Sequence, residues 1–251
     1  MATVLILVDE RGRRHAVSVD RGMARVPGVG TFEADRLRSQ VGHRLVIGER
    51  SFFVLTPSLR DLWETIERGP QALVPKDIGA LLFEIGVGAG SLVVEAGAGS
   101  GALTMVLASA VRPSGRVTAY DLRADALRLA KTNVERAGLM PFVDFRHADF
   151  RDRAQEVNVD AVVLDIPDSW SAIPRAWETL RPCGHLASFS PNMEQVKETV
   201  VAIRARPFVD VRTIELIERE MEVREKGVRP SFAPLGHTGY LTFARKVFDT
   251  F

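Results

Sequence analysis

The sequence predicts an α/β fold. It reads as an open, mostly parallel sheet flanked by helices, with an antiparallel edge strand, preceded by a small N-terminal β domain. Three observations predict it. From Lys76 onward, strand-like and helix-like runs alternate, the pattern of a parallel sheet with helices on both faces. Near the end, the strand-like runs 208–219 and 238–246 are joined by a long polar segment with no helix between them, which calls for antiparallel pairing at one edge. Residues 1–65 have a different texture of brief apolar runs separated by glycines, which suggests a small barrel or sandwich. The domains expected are therefore 1–65 and 66–251.

In the first domain, residues 4–8, 16–19, 43–47 and 51–55 read as strands, with Gly12, Gly22, Pro27-Gly28, Gly30, Gly42 and Gly48 as turns. Residues 59–67 have helical spacing, which Gly69-Pro70 breaks. In the second, helices are expected at 78–85, 102–111, 125–137, 170–180 and 193–206. Strands are expected at 91–95, 116–121, 142–147, 160–165 and 185–190.

The chain has 251 residues, enough for one large domain or a standard domain with a small one, and 46% of them are hydrophobic. Cys183 is the only cysteine, so no intrachain disulfide can form. No apolar run reaches the length of a membrane span, and residues 4–8 are too short for a signal-peptide core. A soluble cytoplasmic protein is expected. With 33 basic and 32 acidic side chains the formal charge is +1, a total that does not decide on a nucleic-acid partner. Five of the basic residues are lysine and the rest arginine. Arginine suits bidentate phosphate contacts, although genome composition also explains the bias.

Glu95-Ala-Gly97-Ala-Gly99-Ser100-Gly101 follows the first strand of the second domain and opens into a helix. In open α/β sheets ligands bind beyond the carboxyl ends of the strands, and glycines let the backbone come close. The same glycines satisfy a permissive dinucleotide pattern, with Asp121 as the ribose acid. Three features favour S-adenosylmethionine (AdoMet). Glu95 precedes the glycines, where it could meet the cationic end of AdoMet through a water or a backbone contact and would oppose a pyrophosphate. The acidic segment Asp165-Ile-Pro-Asp168-Ser-Trp170 follows a later strand, and the sheet closes with an antiparallel pair. Asp121, ending the second strand, can accept both ribose hydroxyls, or be a solvated strand end. Asp149 can accept from the cofactor adenine, or simply cap a helix. Asp165 ends the apolar run 161–164. Beside it Trp170 is either a stacking platform for a planar, amino-bearing acceptor or a core aromatic. The five histidines and single cysteine show no metal-ligand spacing, so no metal is expected. Neither a Gly-x-Ser-x-Gly elbow nor a Gly-Lys-Ser/Thr loop occurs.

Four stretches together resemble the tRNA (adenine-N1)-methyltransferase family. They are Gln71-Ala-Leu-Val-Pro75-Lys76-Asp77, Glu95 to Thr104, Asp165 to Trp170, and Val228-Arg229-Pro230 with Gly236-His237-Thr238-Gly-Tyr-Leu241. The resemblance covers nearly the whole chain, and the first and last stretches are its more specific parts. It implies a class I, Rossmann-like methyltransferase sheet, AdoMet as cofactor and tRNA as partner. The methyl acceptor would be N1 of the T-loop adenosine at position 58, and in archaea also 57. A homotetramer is implied as well. Carried over by position, Gly97, Gly99, Ser100, Gly101, Ala102 and Leu103 would contact AdoMet. Asp121 would hold its ribose, Asp149 would lie near its adenine, and Asp165 would be both cofactor contact and catalytic acid. Trp170 and His237 would face the substrate. The chain departs from the family pattern at Val74 (usually Tyr), Asp121 (usually Glu), Ala126 (often polar) and Ser169 (usually Pro). Other readings are a same-fold methyltransferase acting on protein isoaspartate or a corrinoid precursor, and a non-catalytic tRNA-binding subunit. The N-terminal β domain and Gly236-His-Thr oppose the first two, and the intact glycine loop with Asp165 opposes the third.

Overall fold

Short antiparallel pairings dominate the first part of the chain, as glycine-punctuated apolar runs require. The computed structural model describes residues 4–20, 22–26, 28–67, 69, 73–233 and 235–249. Pro27, Pro70, Gln71 and Ala72, which the sequence reading used, lie outside the described residues. The N-terminal elements are β1 (Val4–Asp9), β2 (Arg14–Ser18), β3 (Met23–Val26), β4 (Gly30–Glu33), α1 (Ala34–Arg38), β5 (Arg44–Ile47) and β6 (Arg50–Leu55). Four of them form an antiparallel sheet in the order β2-β1-β6-β5, while β3 and β4 make a separate hairpin. The sequence reading had no element across 23–38, where Pro27, Gly28 and Gly30 break the apolar residues into short pieces.

One face of this sheet presents Leu5, Leu7, Val17, Leu45, Phe52 and Val54 to a core closed by β3 and α1. The other face is met on its β2 side by α2 (Leu59–Glu64), where Arg14 pairs with Asp61 at 2.7 Å and Glu64 at 2.9 Å. Asp61 and Ser58 form a capping box that starts α2.

The larger unit contains α3 (Pro75–Ile85), β7 (Leu92–Ala96), α4 (Ala102–Val111), β8 (Arg116–Asp121), α5 (Ala124–Arg136), β9 (Val143–His147), α6 (Phe150–Arg153), β10 (Val159–Leu164), α7 (Ser169–Thr179), β11 (Leu180–Ser190), α8 (Met193–Arg204), β12 (Phe208–Glu215), β13 (Met221–Arg224), β14 (Gly227–Pro230) and β15 (Tyr240–Lys246). Seven strands pair in the order β12-β15-β11-β10-β7-β8-β9. From β11 to β9 the pairing is parallel. At the edge, β15 inserts between β11 and β12 and runs antiparallel to both.

Strand order reverses between β7 and β10: the chain leaves β7 toward β8 and β9, then returns to β7's other side. A ligand crevice is expected at that point. Alternate strand residues serve two cores. Val93, Val117, Ala161 and Val163 pack under α3, α4 and α5, whereas Val94, Val162, Leu164 and Leu186 pack under α7 and α8. The bounds of α4 and β8 match those read from the sequence. Absent from that reading were α6 and the β13–β14 hairpin, which occupies the segment expected to be a polar loop. Both are short, and β13–β14 is largely exposed, so no periodic burial marks them in the sequence.

Two glycines set how tightly the reversal point is built. A Cβ on Gly97 (φ 99°) would lie 2.0 Å from the Asp165 carbonyl oxygen, and one on Gly101 (φ 79°) would lie 2.9 Å from Ala130 Cα. Neither obstacle is a flexible side chain. Gly101→Ala is therefore expected to cost about 1–3 kcal/mol, because it combines a left-handed backbone with a helix–helix clash. Urea unfolding checks this, and a midpoint equal to wild type would contradict it.

Candidate active site

The carboxyl ends of β7, β8, β9 and β10 open into a cavity of about 520 Å³, within the range of small-molecule sites. One wall is the glycine loop. The Gly97 and Ala98 N–H groups donate to the Tyr120 carbonyl at 2.8 and 2.9 Å, which fixes the loop on β8. Gly99 (φ 53°) has nothing within 4 Å of where a Cβ would be. Gly97, Gly99 and Ser100 line the cavity. The Ser100 Oγ is buried and has no hydrogen-bond partner among the described residues. Gly101, Ala102 and Leu103 do not line it. Gly101 packs on Ala130, and Ala102 and Leu103 are in the core.

Asp121 stands at the end of β8, as expected, and lines the cavity. Its carboxylate accepts from Gly99 N–H at 2.9 Å and Arg123 N–H at 2.8 Å. Each oxygen keeps a further lone pair for a ligand hydroxyl. Asp149 also lines the cavity, and the structure combines both roles weighed for it. It caps α6 through Arg151 N–H at 2.9 Å, and the Arg151 guanidinium grips both of its oxygens at 2.6–3.0 Å. That pairing lowers the Asp149 pKa below the usual carboxylate range. Arg151 reaches on to Asp168 and to Ser171 Oγ, tying the loop after β9 to the loop after β10.

Asp165 follows β10 and lines the cavity, with its backbone N–H donating to Ala96 O at 2.8 Å. Its carboxylate makes no hydrogen bond among the described residues. Burial, followed by the nearby Asp121 charge, pushes its pKa up to about 7. Glu95 lies deeper. It does not line the cavity but is buried behind the loop, 1% exposed. It accepts from Thr104 Oγ1 at 2.6 Å and from the Thr104 backbone, holding the start of α4. Burial pushes it up to about 8, so near neutral pH it is largely protonated. It supports the loop and does not meet a cation directly.

Trp170 is half-buried in the first turn of α7, and His237 is exposed; neither lines the cavity. His237 lies at the same end of the sheet, past β11, with Nδ1 2.7 Å from Glu215 Oε1 and Nε2 3.0 Å from Pro191 O. The Pro191 carbonyl and then Glu215 raise its pKa. Next to it, Thr238 Oγ1 donates to Asp77 at 2.6 Å, while Lys76 Nζ donates to Thr238 Oγ1 at 2.6 Å and to Asp77 at 2.8 Å. The first and last of the family-like stretches therefore meet in one buried ionic cluster.

Sequence reasoning did not find Arg151 or Asn133. Buried in α5, Asn133 donates to the carbonyls of Ser100 (2.9 Å) and Glu67 (3.0 Å) and accepts from Glu67 N–H (3.1 Å). It clamps the segment before Gly69, itself a cavity residue, onto the glycine loop. No local pattern signals this, because its partners lie 33 and 66 positions away.

The family described as tRNA methyltransferase complex GCD14 subunit matches residues 51–231. The chain belongs to this family. It is 36% identical to the tRNA (adenine(57)-N(1)/adenine(58)-N(1))-methyltransferase TrmI of Methanocaldococcus jannaschii, with 96% of this chain and 94% of that protein covered. Identity to the tRNA (adenine(58)-N(1))-methyltransferase TrmI of Thermus thermophilus is 32%, covering 96% of each. Among solved structures, a SAM-dependent O-methyltransferase from Thermotoga maritima superposes with a TM-score of 0.90 at 29% identity, over 100% of this chain and 95% of that one.

The raised carboxyls of this family member have a measurable consequence. Unfolded, Asp165 and Glu95 titrate near 3.8 and 4.5, and folded near 7 and 8. Between these limits the folded state keeps protons that the unfolded state releases. Their contribution therefore lowers the stability of the ligand-free protein as pH rises from about 4 to about 8. Asp165→Asn is expected to melt above wild type at pH 8, with the gap closing toward pH 4. Melting curves across that range check this, and a variant no more stable at pH 8 would show that Asp165 is ionised without strain.

Proposed function

We propose that this chain transfers a methyl group from AdoMet to N1 of a T-loop adenosine in tRNA, at position 58 or at both 57 and 58. The observation that carries this reading is Asp165, a carboxylate without a hydrogen-bond partner among the described residues, beside the glycine loop at the strand reversal. Its family membership and the tRNA (adenine-N1)-methyltransferases it resembles over almost their full length support the same reading.

The cavity fits AdoMet better than a dinucleotide. Ser100 offers a buried unpaired hydroxyl, Gly99 leaves open space, and Asp121, Asp125, Asp149, Asp165 and Asp168 outnumber Arg123 and Arg151 on its walls. Such a site attracts a sulfonium and opposes a pyrophosphate. We assign the backbone of Gly97, Gly99 and Ser100 and the carboxylate of Asp121 to AdoMet. Gly101, Ala102 and Leu103 take part through the helix start, and Asp149 with Arg151 forms the adenine side. When bound, AdoMet supplies an electrophilic methyl group.

Adenine N1 already holds a lone pair, so no strong base is required, and no His or Lys lines the cavity among the described residues. The transfer leaves a cationic base. Asp165 accepts a hydrogen bond from the adenine amino group and stabilises the charge that develops there, an effect of preorganised electrostatics. A bound cation draws its pKa below 7, so the carboxylate is ionised when needed. Trp170 and His237 belong to the acceptor side in this reading. An intact cavity opposes a purely tRNA-binding role.

Asp165→Asn keeps the shape, removes the charge and turns an N–H donor toward the adenine amino group. Turnover on unmodified tRNA is expected to fall by about 10²–10³, with AdoMet affinity changed far less. Mapping methylated nucleosides by mass spectrometry, beside calorimetry with AdoMet, tests both parts. Near-normal turnover would remove Asp165 from its role, and methylation elsewhere would overturn the substrate.

The reading extends to a cytoplasmic homotetramer with residues 1–65 as a β domain and 66–251 as the methyltransferase domain. The first unit has its own apolar cluster. No helix among the described residues is long and apolar enough to cross a membrane, and no cluster of metal-ligating side chains occurs among them. The β13–β14 hairpin and its flanks expose Ile217, Met221, Val223, Val228 and Phe232, with Val223 74% and Phe232 79% exposed. An apolar patch of this kind marks an interface. Light scattering is expected to give four times the 27.7 kDa chain mass, and a monomer at working concentration would refute it.

A further inference from the structure

We infer that the uncovered half of the N-terminal sheet, built on Phe53 and Arg44, is a contact surface for the RNA substrate. The inference rests on the tRNA reading above and places part of its footprint. It begins with charge. Residues 1–55 carry nine arginines against six carboxylates, while the rest of the chain carries 24 basic against 26 acidic side chains. The cavity itself is walled mainly by carboxylates. A polyanion held at that cavity therefore draws its counter-charge from elsewhere on the molecule, and the N-terminal unit has the surplus.

Register then locates the surface. β5 is an edge strand, and Arg44 stands directly across from Phe53 on β6. Opposed residues share one face, with Cβ atoms about 5 Å apart. Val46 lies two positions along β5 on that same face. Toward β2 the face is closed, since Arg14 is locked to Asp61 and Glu64 of α2, and Ile6 is fully buried. Toward β5 it is open, with Phe53 and Val46 each 56% exposed. Arg44 is exposed and has no carboxylate partner among the described residues; its one hydrogen bond goes to Ser51 Oγ at 2.6 Å.

An aromatic ring facing solvent beside an arginine free of any acid combines the two elements that hold single-stranded or looped nucleic acid. The ring stacks on a base, and the guanidinium meets a phosphate. Pairing this face with the same face of a second copy would set Arg44 against another Arg44, like charge on like, whereas an RNA phosphate neutralises it.

The test uses the full-length protein and labelled, unmodified tRNA, with binding followed by anisotropy across a salt series. Phe53→Ala is expected to weaken tRNA binding roughly tenfold, and Phe53→Trp to restore it. Arg44→Gln is expected to lower the slope of log K against log salt by about 0.9, the loss of one phosphate contact. AdoMet affinity stays unchanged in all three variants, which shows that they are folded. In methylation assays the Phe53→Ala defect falls on KM for tRNA and leaves kcat intact. Wild-type affinity and slope in both Phe53→Ala and Arg44→Gln would overturn the inference. So would a drop in particle mass on Phe53→Ala, which would assign the face to chain–chain contact. Failure of the wild-type protein to methylate tRNA would count against the proposed activity, while the binding isotherms still decide the surface.

Discussion

Everything at the candidate site follows from how closely the glycine loop approaches the end of β10. The Asp165 carbonyl occupies the place where a Cβ on residue 97 would be, and the Asp165 N–H is bonded to Ala96. The two strand ends thus meet backbone to backbone at the point where strand order reverses. The same loop is held on its other sides by the Tyr120 carbonyl, by the Asp121 carboxylate on Gly99, and by Gly101 lying flat on α5. With the backbone so fixed, the Asp165 side chain has no hydrogen-bond partner among the described residues and is left facing the cavity. Preorganisation of this kind is what electrostatic catalysis requires, because no reorganisation remains to be made when charge develops.

The cost of that arrangement is electrostatic. Burial raises the pKa of both Glu95 and Asp165; the charge of Asp121 adds to it at both, and that of Asp165 adds to it at Glu95. The molecule resolves the conflict by position. Glu95 sits deepest, shielded and hydrogen-bonded to Thr104, where protonation is tolerated and it acts as a helix anchor. Asp121 and Asp165 border the cavity, where a cationic ligand can neutralise them. Arg151 neutralises Asp149 and Asp168 and joins their loops in the same contact. The acidic cavity therefore divides into Asp149 and Asp168, already paired within the chain, and Asp121, Asp125 and Asp165, which remain for a ligand.

The sequence showed the parts of this that are local. Alternating glycines before a helix, an acid at the next strand end and an apolar strand ending in Asp165 are patterns within a few residues, and the structure places Asp121, Asp149 and Asp165 on one cavity. A mostly parallel sheet with an antiparallel pair at one edge was legible because alternating helix and strand runs leave few topologies. Hidden were features made by distance or by exposure. Glu95 reads as a site acid until the fold shows it turned behind the loop. Asn133 and Arg151 gain meaning only from partners on other elements. β3, β4, β13 and β14 are four residues each and partly or wholly exposed, too short and too wet to leave a period in the sequence.

The two family-like stretches farthest from the glycine loop show how the other flank of the sheet end is built. Asp77 is the third residue of α3, and Thr238 lies just before β15. They are 161 positions apart, and with Lys76 they close a triangle of bonds of 2.6–2.8 Å. Asp77 is almost wholly buried, and a buried charge is tolerable only when it is paired and hydrogen-bonded. Loss of any member would strand the others. Such a cluster permits one register of the 236–239 segment against α3, and with it one position for His237, bonded across to Pro191 just past the end of β11. Adjacent strands lie about 5 Å apart, so that segment sits two strands, roughly 10 Å, from the end of β10. The ionic triangle is thus the rigid frame on the β11 side of Asp165, opposite the glycine loop, so that the cavity end of β10 has fixed backbone on both flanks.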